Sequence, residues 1–359
     1  DLVVVSIYIN PTQFNDQNDL KKYPFNLARD KAFLSSFSKN VVIYNPDNHE
    51  IYPSGIKSNS YDFGSIALHM EGKFRPGHFN GVATVIEKLK KHLNSKSFKI
   101  GLVPTMGGLH QGHLSLIKKA CLDNEKVVVS IYINPTQFND ENDLKNYPFD
   151  LETDKTFLSS LSKNVVIYNP DNDEMYPSGI KRNSYNFGSI SHHMEGKFRP
   201  GHFDGVATVI EKLIKDIKPH NAYFGEKDYQ QIQIIKALNK SLKLGVKIIS
   251  CSTEREKDGL AISTRNKFLN PRQRSAAQKI YFALTELKNA KKKFLDMKRF
   301  FINTVEHSKD LKVEYFCIAS IDDLVPVEKF EKFKKYRIFV AVFAGNLRLI
   351  DNEEIKIFN

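Results

Sequence analysis

An 89-residue segment is written twice in this chain. Val3–Lys91 returns as Val127–Lys215, 124 positions later, with about 74 of the 89 aligned residues identical. Segments that alike must favour the same local structure, yet only the second has a full setting. GLVPTMGGLHQGH (Gly101–His113) precedes it and FGEKD (Phe224–Asp228) follows it, and the first copy has no counterpart of either. The identity is far too high for an old solenoid, whose units drift apart while keeping a period. The first copy therefore reads as a recent duplication or an artefact of joining. It is the middle of a fold without its sides, surplus from residue 1 to about residue 80. Its strand formers, Val3–Ile9, would leave an edge that needs covering. They also compete with Val127–Ile133 for one slot beside the strand at Gly101. A docked, a swapped and a poorly ordered copy are all compatible with the sequence.

The flanks of the second copy set the fold class. Ile100–Val103 is a short apolar run that reads as a buried parallel strand. Pro104 and Thr105 end it, and Gly107, Gly108 and Gly112 let the backbone pass close to a bulky group. Leu109, His113, Leu114, Ile117 and Ala120 then recur at helical spacing, predicting a helix over Leu109–Leu122. Strand Val127–Ile133 is followed by the loop Asn134–Tyr147 and helix Leu151–Leu161, and strand Val165–Tyr168 by a long polar stretch to Arg199. Helix Val206–Ile217 precedes strand Ala222–Phe224, and helix Tyr229–Leu242 precedes strand Val246–Cys251. Val85–Leu93 is a helix that leads, through a turn at Asn94–Ser97, into the strand at Phe98–Val103. This alternation predicts an α/β fold with a parallel sheet and right-handed crossovers. From about Ile262, helices at Pro271–Ala290 and Leu295–His307 precede strands at Val313–Ile318 and Arg337–Phe343. That pattern suggests a smaller α+β domain with an antiparallel element, closing over the cleft as a lid. The expected division is a non-catalytic duplicate over 1–91, an α/β domain over 92–261 and the lid over 262–359.

In parallel sheets ligands sit at the carboxyl ends of strands, so the loops there carry the candidate chemistry. His110 and His113 lie three apart at a helix start, where amides lack partners and the dipole end is positive. Two imidazoles beside such amides suit a triphosphate whose charge grows during displacement at the α-phosphorus. The competing reading is that both histidines cap or pack the helix start. Asn134-Pro135-Thr136-Gln137-Phe138 presents two amides, which donate to a carboxylate and accept from a hydroxyl. That suits a small hydroxy acid; an Asn-capped turn is the alternative. In Gly225-Glu226-Lys227-Asp228, Lys227 offers a point charge for phosphate. Asp228 could cap the next helix, accept from ribose hydroxyls or help hold a metal, and Gln231, one turn on, would face the same cleft. Asp258–Asn266 adds the hydroxyls of Ser263 and Thr264 and the Arg265 guanidinium, groups that hold phosphate oxygens, unless it is a plain linker. In EGKFRPGHF, Arg199 and His202 share a loop; His202 reads as structural, because nothing adjacent marks it as an acid or base.

Composition narrows the classes further. The formal charge of +12 would attract polyanions, but the lysines are spread and no basic stripe with interleaved aromatics appears. A solvated surface explains them, with a non-catalytic nucleic-acid-binding protein as the rival from another class. The cysteines, Cys121, Cys251 and Cys317, are widely spaced, which fits a reducing cytoplasm and offers no metal-ligand spacing. No apolar run approaches the roughly 18 residues of a membrane span. DLVVVSIYIN lacks the basic start of a signal peptide.

PTMGGLHQGH, YINPTQF, EGKFRPGHFDGV, FGEKDYQQ, DGLAISTRN and RLIDN occur in that order between about Phe98 and Ile357. Together they resemble the pantoate–β-alanine ligase (pantothenate synthetase) family of the HxGH nucleotidyltransferase superfamily. The resemblance implies a Rossmann-like parallel sheet with a smaller C-terminal lid, use of ATP with Mg2+, and a homodimer. It also implies a cytoplasmic place in coenzyme A synthesis. Met106, Gly107, Gly108, Leu109, His110, Gln111, Gly112 and His113 would contact ATP, with His113 as the proton donor and His110 beside it. Gly225, Glu226, Lys227, Asp228, Ile262, Ser263, Thr264 and Arg265 would hold ATP as well. Glu254, where a small apolar residue is usual near the adenine, would keep a backbone contact. Gln137 and Gln231 would hold pantoate, with Asn134 on the same loop and Gln137 also near β-alanine. His113, His110, Lys227 and Arg265 form the expected catalytic set, and no metal ligands are assigned. Phe149 stands where the family often has Arg, and Thr264 replaces a common Ser. The reaction implied is a two-step ligation through pantoyl adenylate, with no membrane and no specific nucleic acid as partner. The nearest rival is another HxGH nucleotidyltransferase with a different acceptor.

Overall fold

Both copies open on VVVS, and in both those residues form a strand. The computed structural model describes residues 3–14, 16–37, 41–69, 71–95, 99–138, 144, 147–162, 164–288, 293–331 and 333–356. Its contacts divide the chain into two units, Asp1–Phe98 and Lys99–Asn359.

In the first unit β1 (Val3–Ser6) and β2 (Val41–Tyr44) pair in parallel with Val3 opposite Val41. Helix α1 (Leu27–Phe37) lies between them in sequence, and α2 (His78–Ser95) ends the unit. Helix α2 runs through half of the turn expected at Asn94–Ser97; 96–98 lie outside the described residues.

In the second unit five apolar runs form one parallel sheet, ordered β5-β4-β3-β6-β7. The strands are β3 (Ile100–Thr105), β4 (Lys126–Ile131), β5 (Val165–Tyr168), β6 (Asn221–Gly225) and β7 (Lys247–Cys251). Strand order reverses at β3, where Gly101 faces Val127 on one side and Asn221 on the other. Such a reversal opens a crevice at the carboxyl ends of the strands. Helices α3 (Gln111–Asp123), α4 (Leu151–Ser159), α5 (His202–Ile217) and α6 (Tyr229–Ser241) cover the sheet. Val127, Val129 and Ile131 pack with Ile117 and Leu158 in one core, while Leu102 packs with Val206, Ile210 and Ile235 in another. A sheet covered on both faces tolerates strands that are apolar throughout, which is why these strands were easy to find.

Beyond β7, α7 (Pro271–Lys288) and α8 (Phe294–Glu306) pack on a three-stranded antiparallel sheet ordered β10-β9-β8. Its strands are β8 (Leu311–Ser320), β9 (Tyr336–Ala344) and β10 (Leu347–Ile355). Strand β10 was not anticipated. Its residues LRLIDNEEI are half polar, and a polar strand reads as a loop until its partners are known. The usable signal was Gly345-Asn346, a two-residue hairpin turn with Gly345 at φ +60°. Among the described residues no helix is long and apolar enough to cross a membrane.

Candidate active site

The cleft follows from where the strands of the central sheet end. The loops after β3, β4, β6 and β7, with residues Arg199–Leu213, enclose a cavity of about 260 Å3. Of the residues expected at the site, Met106, His110, Gly112, His113, Asn134, Gln137, Gly225, Lys227, Asp228, Gln231, Glu254, Ile262, Ser263, Thr264 and Arg265 line it. Gly107, Gly108, Leu109, Gln111 and Glu226 do not, and each has a physical reason.

The glycine turn after β3 is not an open set of amides. The backbone N–H groups of Gly108 and Leu109 each donate to the Asp154 carboxylate at 2.8 Å, and Gly107 N donates to Thr105 Oγ1 at 3.3 Å. Asp154 is buried in the first turn of α4, so the chain's own carboxylate occupies the anion seat expected there. Two left-handed glycines make the turn possible. A Cβ on Gly107 (φ +81°) would lie 2.5 Å from the Phe149 ring, and one on Gly108 (φ +63°) 2.5 Å from Thr264 Cγ2. Any L side chain would therefore be strained and blocked. Gln111 is exposed on the first turn of α3. Glu226 turns away toward Arg337, 4.0 Å distant.

His110 and His113 both cap α3, as the competing reading expects, and both also line the cavity. His110 Nδ1 accepts from Gly112 N at 3.1 Å, and His113 Nδ1 accepts from His110 N at 3.3 Å. With each Nδ1 accepting, the proton of each neutral ring sits on Nε2. The rings lie 4.1 Å apart. Burial, then the charges of Lys227 and Lys267, lower His110 to about 4. Burial, then His110 and Lys227, lower His113 to about 3. At neutral pH the pair offers two Nε2–H donors and no positive charge.

The loop after β4 is held from below. Asn134 is 1% exposed and saturated: Oδ1 accepts from Thr136 and from the Tyr176 hydroxyl, and Nδ2 donates to Gly205 O at 3.0 Å and Gln137 Oε1 at 3.1 Å. It is the turn's cap, not a group left over for a ligand. Gln137 in turn donates to Met106 Sδ at 2.8 Å, tying the two loops. Its carbonyl is fixed by His202 Nδ1 at 2.9 Å and Arg199 Nη2 at 3.3 Å. That contact puts the His202 proton on Nδ1, so Nε2 accepts from Arg199 Nη1 at 3.1 Å. Burial, then Arg199, lower His202 to about 4. The structural reading of His202 thus fits its bonds, although it also lines the cavity.

Lys227 leaves β6 into the cavity with Nζ 3.4 Å from Asp228 Oδ2. Asp228 precedes α6 without capping it, which removes one of its three expected roles. Ser263 caps the short turn Thr264–Phe268, and Thr264 Oγ1 donates to Gly108 O at 3.3 Å, joining this loop to the glycine turn. The Glu254 carbonyl accepts from Ile262 N at 3.0 Å. Sequence reasoning did not assign Ser130, Tyr132, Arg199, Ser252 or Thr253 to the site, yet all line it. Ser252 and Thr253 directly follow β7, so the strand-end rule alone could have found them. Ser130 Oγ is buried with no hydrogen-bond partner among the described residues.

Comparison with known proteins shows the family. The sequence pattern of the pantoate-beta-alanine ligase family matches residues 1–97 and again 90–354. A pantothenate synthetase of Flavobacterium psychrophilum is 42% identical over 259 residues, 72% of this chain and 92% of that protein. The crystal structure of pantothenate synthetase from Thermus thermophilus superposes with TM-score 0.66 at 36% identity, covering 71% of this chain and 93% of that one. A pantoate-beta-alanine ligase of Francisella tularensis, complexed with beta-gamma ATP and beta-alanine, superposes with TM-score 0.61 at 40% identity, over 75% and 95% of the two chains. With the parallel sheet, the antiparallel domain and both matched stretches accounted for, the chain belongs to the pantoate–β-alanine ligase family.

Proposed function

We propose that this chain condenses pantoate with β-alanine, using ATP. Pantoate carboxylate attacks the α-phosphorus, forming pantoyl adenylate and releasing pyrophosphate. The β-alanine amine then attacks the acyl carbon, and AMP leaves. The observation that carries the reading is the meeting of His110, His113, Lys227 and Arg265 around one cavity that Gln137 and Gln231 also line. Neutral imidazoles donating through Nε2 and an ammonium suit charge that grows on phosphate oxygens. The phosphates' own charge would raise both histidines again, so His113 becomes a proton donor only with nucleotide in place.

The chain's part is positioning. Glu254 and Ile262–Arg265 form one wall of the nucleotide site, and Gln231 meets the pantoate carboxylate or hydroxyl. Among the described residues no group of three or more His, Cys, Asp or Glu is placed to hold a metal. Mg2+ usually keeps waters and takes one or two carboxylates plus substrate phosphates. Asp228, which lines the cavity beside Lys227, fits that modest demand and would hold it, and the ion would neutralise phosphate charge. The Val3–Lys91 copy is non-catalytic in this reading, and the working form is a cytoplasmic homodimer. Chromatographic identification of pantothenate, AMP and pyrophosphate from ATP, pantoate and β-alanine tests the reaction. Pyrophosphate exchange that needs a different acid would replace pantoate.

A further inference from the structure

The RLIDN segment on β10 has no role assigned in that reaction, yet Asp351 and Asn352 are 4% and 3% exposed. Adjacent strand residues point to opposite faces, and these two reach two different loops of the cleft. Asn352 Nδ2 donates to Glu226 O at 2.9 Å and to Lys227 O at 2.8 Å. Its Oδ1 accepts from Arg337 Nη1, which fixes the amide orientation: reversed, it would set NH2 against a guanidinium and oxygen against two carbonyls. Arg337 is itself held over the Tyr229 ring at 4.1 Å. Asp351 takes Arg255 in a two-pronged pair at 2.6 and 3.0 Å. Arg255 also donates to Gly259 O at 3.2 Å and stacks on Tyr281 at 3.9 Å. It pairs with Ala261, immediately before Ile262–Arg265.

From this geometry we infer that Asp351 and Asn352 are positioning residues, Asn352 for the backbone that carries Lys227 and Asp351, through Arg255, for the loop that carries Arg265. The inference rests on the proposed role of those two cations. It makes the C-terminal sheet a part of the nucleotide site that sets where its charges stand. Both loops are otherwise short strand exits with polar backbone groups to satisfy, and a buried amide bridging two carbonyls selects one conformation.

The test uses Asn352→Asp in the full chain, which keeps size and the Arg337 contact but removes both donors. Turnover should fall between about tenfold and a hundredfold, the cost of misplacing a group held near the chemistry. The KM for β-alanine should stay near wild type, while the melting temperature should fall, because two buried carbonyls lose their donors and face a carboxylate. Hydrogen exchange should quicken at the amides of 226–229 and stay unchanged in α3. Asp351→Asn should quicken exchange at 254–265 instead. If Asn352→Asp does not fold, Asn352→Ala removes the donors without adding charge and carries the same test. Wild-type turnover in the folded variant, whatever its exchange, overturns the inference. So does unchanged exchange at 226–229. A wild-type chain that makes no pantothenate would sink the proposed reaction, while exchange would still read the positioning.

Discussion

Val3–Lys91 and Val127–Lys215 hold the same residues in different company, and the contrast separates local from tertiary causes. Short-range constellations recur. Asn10 caps its turn and takes the Tyr52 hydroxyl at 2.6 Å as Asn134 takes that of Tyr176. Its Nδ2 reaches Gly81 O at 2.9 Å, where Asn134 reaches Gly205 O at 3.0 Å. His78 holds the Gln13 carbonyl at 3.0 Å, as His202 holds that of Gln137 at 2.9 Å. Strand register also matches, Val3 to Val41 as Val127 to Val165. Burial recurs only in part: Ile51, Tyr52 and Val85 form a small core where Met175, Tyr176 and Val209 are buried in the second copy, but the sheet face differs. Val3 is 51% exposed and Val127 fully buried; Ile86 is 58% exposed and Ile210 only 4%. In the second copy β4 pairs with β3, its strand residues pack against α3 and its helix α5 against β6, while β1 pairs only with β2 among the described residues. Polar contacts and the small cluster around Tyr52 travel with the segment's sequence; the larger apolar core needs a partner surface that the segment does not encode.

The largest expected effect contrasts the active sites. Lys227→Ala or His113→Ala should lower turnover by at least about a hundredfold, the scale of losing a preorganised donor, while His78→Ala should leave steady-state turnover untouched. A large loss in His78→Ala would mean that the first copy supplies site groups. Packing gives the next contrast. Ile210→Ala should cost about 2–5 kcal/mol, and Ile86→Ala no more than about 0.5 kcal/mol, read from denaturant midpoints. Equal costs would show that Ile86 is packed as fully as Ile210.

Acid gives a graded effect. His110, His113 and His202 ionise only at about 4, about 3 and about 4, against an ordinary 6.5. The unfolded chain takes up these protons near 6.5 and the folded chain does not, so their contribution is whole above that pH and drains away toward 4. The slope is up to about 1.4 kcal/mol per pH unit for each histidine. Melting temperatures from pH 7 to pH 4 should fall accordingly, and less steeply in His202→Gln; an unchanged slope there would remove His202 from the account. The smallest expected effect is none: deleting residues 1–80 should leave turnover at the full-length value, and a clear loss would give the duplicate a function.

Much of the fold was legible. All five parallel strands and their helices announce themselves, because each strand carries a short apolar run, whether buried as in β3 and β4 or half-buried as in β5 and β7. Strand β10 was hidden, since two of its four buried residues, Asp351 and Asn352, are polar and bond to loops about a hundred positions away. In the site, the loops were legible from the strand-end rule, but the state of their groups was not. Asp154 looks like an ordinary first-turn acid of α4, yet it takes the amides of Gly108 and Leu109. Asn134 looks like a ligand-binding amide, and its bonds are already spent on the turn.

By itself the sequence determined the order of strands and helices up to β9, the caps and turns, the duplication and the list of chemically able residues. Those depend on neighbours a few positions apart. Only the tertiary structure decided which backbone groups remain available at the cleft, which nitrogen of each histidine carries its proton, and that β10 reaches back to the Lys227 loop. Hydrogen-bond capacity and desolvation are settled by atoms that meet in space, and the chain brings those together from distant positions.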